Sequence, residues 1–178
     1  GALLHPGFID THIHLLYHNI RWGNEDGVGW DTGALPLHGE YGQFVNQTQL
    51  NPINTDSDSE EFTSVSVQLA SLEMALNGTT CFLEAGGVGN SDLAADAINS
   101  IGIRGLLGGP FVQDNKEGAT EHDRDMAFQN LGSELKRNSD PNALVRGVVT
   151  VSGMGNTSDE ILIEAKSMAD EHGVILNM

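Results

Sequence analysis

Two histidines one residue apart, His12 and His14, are the side chains most able to do chemistry in this sequence. In a β-strand, residues i and i+2 point to the same face, so both imidazoles project together while Ile13 points away. Two neighbouring imidazole nitrogens are the start of a transition-metal site. Asp10 has the same parity and could orient a ligand from outside. The pattern also suits two histidines on a solvated strand face, and catalytic zinc usually takes three protein ligands, so the pair alone is incomplete. Glu84 lies near the end of the apolar run Thr79–Ala85, where it could line a pocket or be an ordinary buried or loop-solvated carboxylate. His18, Trp22, Trp30 and His38 follow the first apolar run and could touch a small molecule, though a surface loop explains them as well. Glu84 and Trp22 are the candidate substrate contacts.

Other features carry less. Cys81, within an apolar run, reads as a small buried hydrophobe. Gly86-Gly87-Val88-Gly89 lacks the offset third glycine and the lysine of phosphate-binding loops. The acidic run Asp56–Glu61 lacks EF-hand spacing and reads as a solvated helix start. His5 and His172 read as structural, and His122 as solvent-facing.

The elements that must position these residues alternate. Gly7–Leu16 is strand-like, and residues 17–60 form a long aperiodic stretch rich in Gly, Asn and Asp. A helix follows, capped by Asp58 or Ser59, with Val65, Leu69, Leu72, Met74, Ala75 and Leu76 as its apolar face and Asn77-Gly78 as its stop. Strand Thr79–Ala85, helix Ser91–Ile101 and strand Arg104–Phe111 come next. Helix Thr120–Asn138, strand Leu144–Ser152, helix Ser158–His172 and strand Val174–Met178 complete the series. Strict alternation implies right-handed βαβ units and a parallel sheet. Two α/β architectures fit: an open doubly wound sheet, or a (β/α)₈ TIM-type barrel of which this chain holds the first four and a half units. A whole barrel takes about 250 residues. Residues 1–178 are therefore expected to be one partial barrel domain, a piece of a longer protein that runs past Met178.

Composition narrows the function classes. The chain has 178 residues, 25 acidic against 8 basic, and a formal net charge of −17. That charge opposes nucleic acid and anionic membrane surfaces. No apolar run is long enough to span a bilayer, and the start GALLHPGFID is not a signal peptide. A single cysteine excludes an internal disulfide framework, which agrees with a cytoplasmic protein.

The run HPGFIDTHIHL (His5–Leu15) closely resembles the first barrel strand of the amidohydrolase superfamily. SLEMALNGTTCFLEAG (Ser71–Gly86), with its E-x-x-x-x-G-T-T segment, resembles the cytosine-deaminase and chlorohydrolase-like branch. IGIRGLL and ADEHGVILNM resemble later parts of that branch, whereas Arg21–Pro52 departs from it. The resemblance implies a (β/α)₈ barrel in which His12 and His14 bind one divalent cation, Zn²⁺ or Fe²⁺. It implies further histidines and an aspartate on strands five, six and eight, after Met178, together with the proton-shuttling carboxylate. The fourth strand, LVRGVVTVS, has no lysine to bridge two metals, which favours a mononuclear site. The implied activity is hydrolysis at a C–N or C–Cl centre of a small, cyclic, nitrogen-containing substrate, most often deamination. Enzymes of this kind often form homo-oligomers. The competing reading is a non-catalytic α/β binding or scaffold domain, and less favoured still is a nucleotide-binding doubly wound domain.

Overall fold

In the computed structural model, residues 1–16, 18, 57–110, 112–115 and 118–178 are described. The strands are β1 (Phe8–Ile13), β2 (Thr79–Glu84), β3 (Arg104–Leu107), β4 (Val145–Gly147), β5 (Val149–Thr150) and β6 (Leu176–Asn177). The helices are α1 (Ser57–Leu76), α2 (Ser91–Ile101), α3 (Glu121–Asn130) and α4 (Asp159–His172), with a 3₁₀ helix at Ser133–Ser139. β1 to β4 pair in parallel in the order of the sequence, and β5 pairs in parallel with β6. A doubly wound sheet reverses its order at a switch point. Among the described strands there is no reversal.

The sheet has two distinct faces. Phe82, Leu107 and Val145 join Ala94, Ala97 and Ile98 of α2 and Val67, Ala70 and Met74 of α1 in one buried cluster. The lateral row Leu83–Leu106–Arg146 alternates with it and lies on the opposite face. A second cluster packs α4 (Ile161, Ala165, Ala169) under Val149 and Val151.

The expected face of α1 is corrected. Met74 is buried as expected, but Val65, Leu69, Leu72 and Leu76 are exposed, and Val67, Ala70, Thr63, Ser66 and Ser71 are buried with Met74. The helix has apolar residues on two opposite sides. The inward side is the one with small residues, which lets α1 lie close to the alanine-rich face of α2. The helix also starts at Ser57, before the expected caps and inside the stretch read as loop.

Four other boundaries move. β1 ends at Ile13, and Leu15 and Leu16 enter a short turn as fully buried residues. β3 stops at Leu107, because Gly109 adopts φ +75°. The expected helix Thr120–Asn138 is broken at Gly132, whose φ of +72° no helix interior accepts, and a Cβ there would meet Met168 Sδ at 2.2 Å. The expected strand Leu144–Ser152 divides: β4 serves β3, β5 serves β6, and Val148 between them donates to Leu107 O at 2.9 Å.

The 3₁₀ helix is held against β4 by Asn138, whose side chain donates to Gly147 O and accepts from Gly147 N at 2.9 Å each, and buried Glu134 ties it to α2 by accepting from Ser91 Oγ (2.6 Å). Close approach follows: a Cβ on Gly147 would lie 2.0 Å from the backbone oxygen of Glu134. Backbone cannot move aside as a side-chain tip can. Gly147→Ala is therefore expected to cost about 2–3 kcal/mol of stability, read by denaturant unfolding of the full-length protein. Wild-type stability in that variant would show that the 3₁₀ helix is free to shift.

Candidate active site at the ends of β1 and β2

The strand that presents His12 and His14 is irregular. Asp10 pairs with Phe82, but the next pairing is Ile13 with Glu84, so the register shifts between them. Asp10 Oδ1 accepts the backbone N–H of His12 at 3.1 Å and so supports the irregularity locally. Simple alternation from Asp10 to the histidines therefore fails, and the observed bond of Asp10 is to backbone, where an imidazole contact was expected. Ile13, between the two histidines, packs on the core cluster. Their ring centroids are 5.2 Å apart in an edge-to-face arrangement. His12 is exposed and His14 half-buried. Burial, and secondarily the neighbouring charge of His12, hold the His14 imidazole below its ordinary pKa. The neutral ring is the form that ligates metals.

Glu84 ends β2 and is fully buried, with 0% exposure. Its Oε2 accepts from Gly86 N at 2.7 Å and its Oε1 from Gly87 N at 3.0 Å. The backbone N–H of Leu15, in the turn after β1, adds a third and weaker contact that favours its charge. The glycine turn thus forms an anion-cradling nest occupied by the chain's own carboxylate. Desolvation opposes ionisation and the three amides favour it. Desolvation is the larger effect, and the carboxyl is pushed up to about 7. Both oxygens of Glu84, the candidate substrate contact, accept these internal bonds.

Gly87 lies between the two groups: a Cβ there would be 3.3 Å from His14 Nδ1 and 3.4 Å from Glu84 Oε1. His18, the other described candidate in the first loop, faces α1, with Nε2 3.3 Å from Glu73 Oε2. Trp22, Trp30 and His38 lie outside the described residues. His5 stacks on Phe8 with centroids 5.0 Å apart, and His122 and His172 are exposed. Cys81 is only partly buried. Among the described residues no three of His, Cys, Asp or Glu converge as a metal-holding group. The histidine pair is thus a partial donor set of the right chemistry, two adjacent imidazoles with one held neutral. The Leu15 and glycine amides that meet at Glu84 escaped the sequence reading. Glu84 followed directly by Ala-Gly-Gly was their one visible trace.

Comparison with known proteins adds context. The family model described as "Amidohydrolase family" matches residues 3–178. The 5-methylthioadenosine/S-adenosylhomocysteine deaminase of Thermococcus kodakarensis is 26% identical over 181 residues, spanning 100% of this chain and 38% of that protein. The enzyme of the same name from Teredinibacter turnerae is 30% identical over 112 residues, 63% of this chain and 22% of that protein. Escherichia coli guanine deaminase superimposes with a TM-score of 0.55 at 18% identity, covering 97% of this chain and 37% of that structure. The chain therefore spans less than two fifths of the length of these relatives. At 18% identity the structural match speaks for the fold alone.

The position of Glu84 has a pH signature. Between its ordinary pKa of 4.5 and about 7, the folded chain keeps a proton that the unfolded chain has released. Folding therefore loses stability as pH rises through that window, by about 3 kcal/mol at most. Denaturant unfolding at pH 5 and pH 7.5 should show this slope in the wild type and a flatter one in Glu84→Gln. Parallel slopes would place the titrating group elsewhere.

Proposed function

The chain belongs to the amidohydrolase family, and from that premise we propose that it is the metal-binding first part of a (β/α)₈ barrel enzyme that hydrolytically deaminates a small cyclic substrate. The observation that carries this reading is the edge-to-face pair His12–His14, 5.2 Å apart beyond the core at the C-terminal end of β1. Barrel active sites gather at that end of the strands. The sequential, all-parallel order β1 to β4 supports the barrel reading.

In this reading His12 and His14 hold one divalent cation, zinc or iron(II). When bound, such a cation supplies Lewis acidity, lowering the pKa of water towards ~7 and polarising an electrophilic carbon. The chain's own residues prepare that chemistry. Burial keeps His14 neutral, so its lone pair is available near neutral pH. Ile13 and Leu15, anchored in the core on either side of it, limit where the ring can go. The net reaction adds water across an amidine-type C–N bond and releases ammonia, leaving a carbonyl where the amino group stood. Two relatives are named for deamination of 5-methylthioadenosine or S-adenosylhomocysteine, and a structural neighbour for guanine. An aminopurine-like base is accordingly the substrate class to test first, ahead of the cytosine-type and chlorinated rings of the branch that the sequence resembles. The strong negative charge of the chain suits a neutral or cationic substrate better than an anionic one.

The test is metal analysis and ammonia release with the full-length protein. The wild type is expected to hold about one zinc or iron per chain and to deaminate an aminopurine nucleoside. The His12→Ala/His14→Ala variant should lose both. Unchanged metal content in that variant would overturn the ligand assignment.

A further inference from the structure

We propose that Glu84 is the positioning residue for the candidate metal ligand His14: it clamps the backbone of the β1 end to the glycine turn after β2 and thereby sets cation affinity without touching cation or substrate. The proposal rests on reading His12 and His14 as metal ligands.

The geometry is a set of short links around one residue. On one side of His14, Ile13 O accepts from Ala85 N at 2.8 Å, which extends the β1–β2 pairing one residue past the end of β2. On the other side, Leu15 N–H makes the weakest of the three amide contacts that favour the Glu84 carboxylate's charge. The backbone of His14 is thus attached to the β2 end immediately before and immediately after its own position. The same carboxylate holds Gly86 N at 2.7 Å and Gly87 N at 3.0 Å, which fixes the turn that faces the imidazole. Gly87 has no side chain, and a Cβ there would stand 3.3 Å from His14 Nδ1. One wall beside the ring is therefore backbone, set in place by Glu84.

No other residue type serves all these amides. In the ionised form, which prevails above about pH 7, both carboxylate oxygens are acceptors, so neither presents a hydrogen to an amide N–H. Glutamine keeps one acceptor and turns an NH₂ group towards a backbone N–H. Aspartate keeps the charge but is one methylene short of reaching both loops. Glu84 has no exposed surface, so its effect must pass through the backbone it holds. Groups that orient a metal-bound histidine typically contribute 10–100-fold to metal affinity.

The experiment uses the full-length protein, stripped with chelator and titrated with Co²⁺, whose visible absorption reports both affinity and ligand geometry. Glu84→Gln and Glu84→Asp are expected to bind Co²⁺ 10–100-fold more weakly, with an altered spectrum and an unchanged circular dichroism spectrum. Ile98→Val, a core change that lowers the melting temperature for a different reason, should keep wild-type affinity. Wild-type Co²⁺ affinity in either folded Glu84 variant overturns the proposal, as does an equal loss of affinity in Ile98→Val. Failure of both Glu84 variants to fold also overturns it, because Glu84 would then be a folding residue only. If the wild type itself takes up no Co²⁺, or if His12→Ala/His14→Ala binds it as tightly, the reading of the histidine pair fails first. Loss in the histidine variant with retention in both Glu84 variants defeats the Glu84 role alone.

Discussion

A buried carboxylate is costly, and the β1–β2 end of this protein is organised around one. Removing an ionised carboxylate from water costs several kcal/mol even after relaxation. Three backbone amides from two separate loops offset part of that at Glu84, and its raised pKa records the part they do not. The arrangement is reciprocal. Leu15, Gly86 and Gly87 would each leave an amide without this partner if the carboxylate were absent, and unpartnered buried amides are themselves unfavourable. The loop after β1 and the turn after β2 are therefore held by a single group, and His14 lies between its attachments.

The core supports the same point from below. Leu15 and Leu16 are fully buried directly after the histidine pair, in the cluster that contains Phe82 and the facing helices. Other strand ends are cross-tied as well. Asp114, in the loop after β3, accepts from Ser158 N at 2.7 Å and Ser158 Oγ at 2.6 Å and so joins the N-cap of α4. Glu134 joins the 3₁₀ helix to the start of α2. A site assembled from several loops needs such ties, because a side chain is placed no better than the backbone that carries it.

The glycine-rich turn shows how one motif can be misread in either direction. Its sequence argues against a phosphate loop, for it lacks the spacing and the lysine. Its geometry is nevertheless that of an anion cradle. The anion is Glu84, two and three residues upstream of the donating amides. Composition identified the turn, and only the direction of its amides revealed what it holds.

The sequence by itself determined the alternation of strands and helices, the family, and the two histidines as the residues of interest. These are local signals: a period of two, a period of 3.6, caps such as Ser158 and stops such as Gly102 and Gly173. Tertiary structure decided the rest, because the deciding contacts join residues far apart in the chain. Which side of α1 faces inward depended on the small residues of α2. Where the third helix broke depended on Gly132 meeting Met168, and the fourth strand divided because its halves serve different neighbours. The Asp10 bond to His12 N–H and the glycine-turn bonds to Glu84 gave backbone partners to two carboxylates, one that strand parity had offered as a group orienting a ligand and one that its place at a strand end had offered as a substrate contact. A carboxylate's role follows from which donors surround it, and those donors are brought together only by the fold.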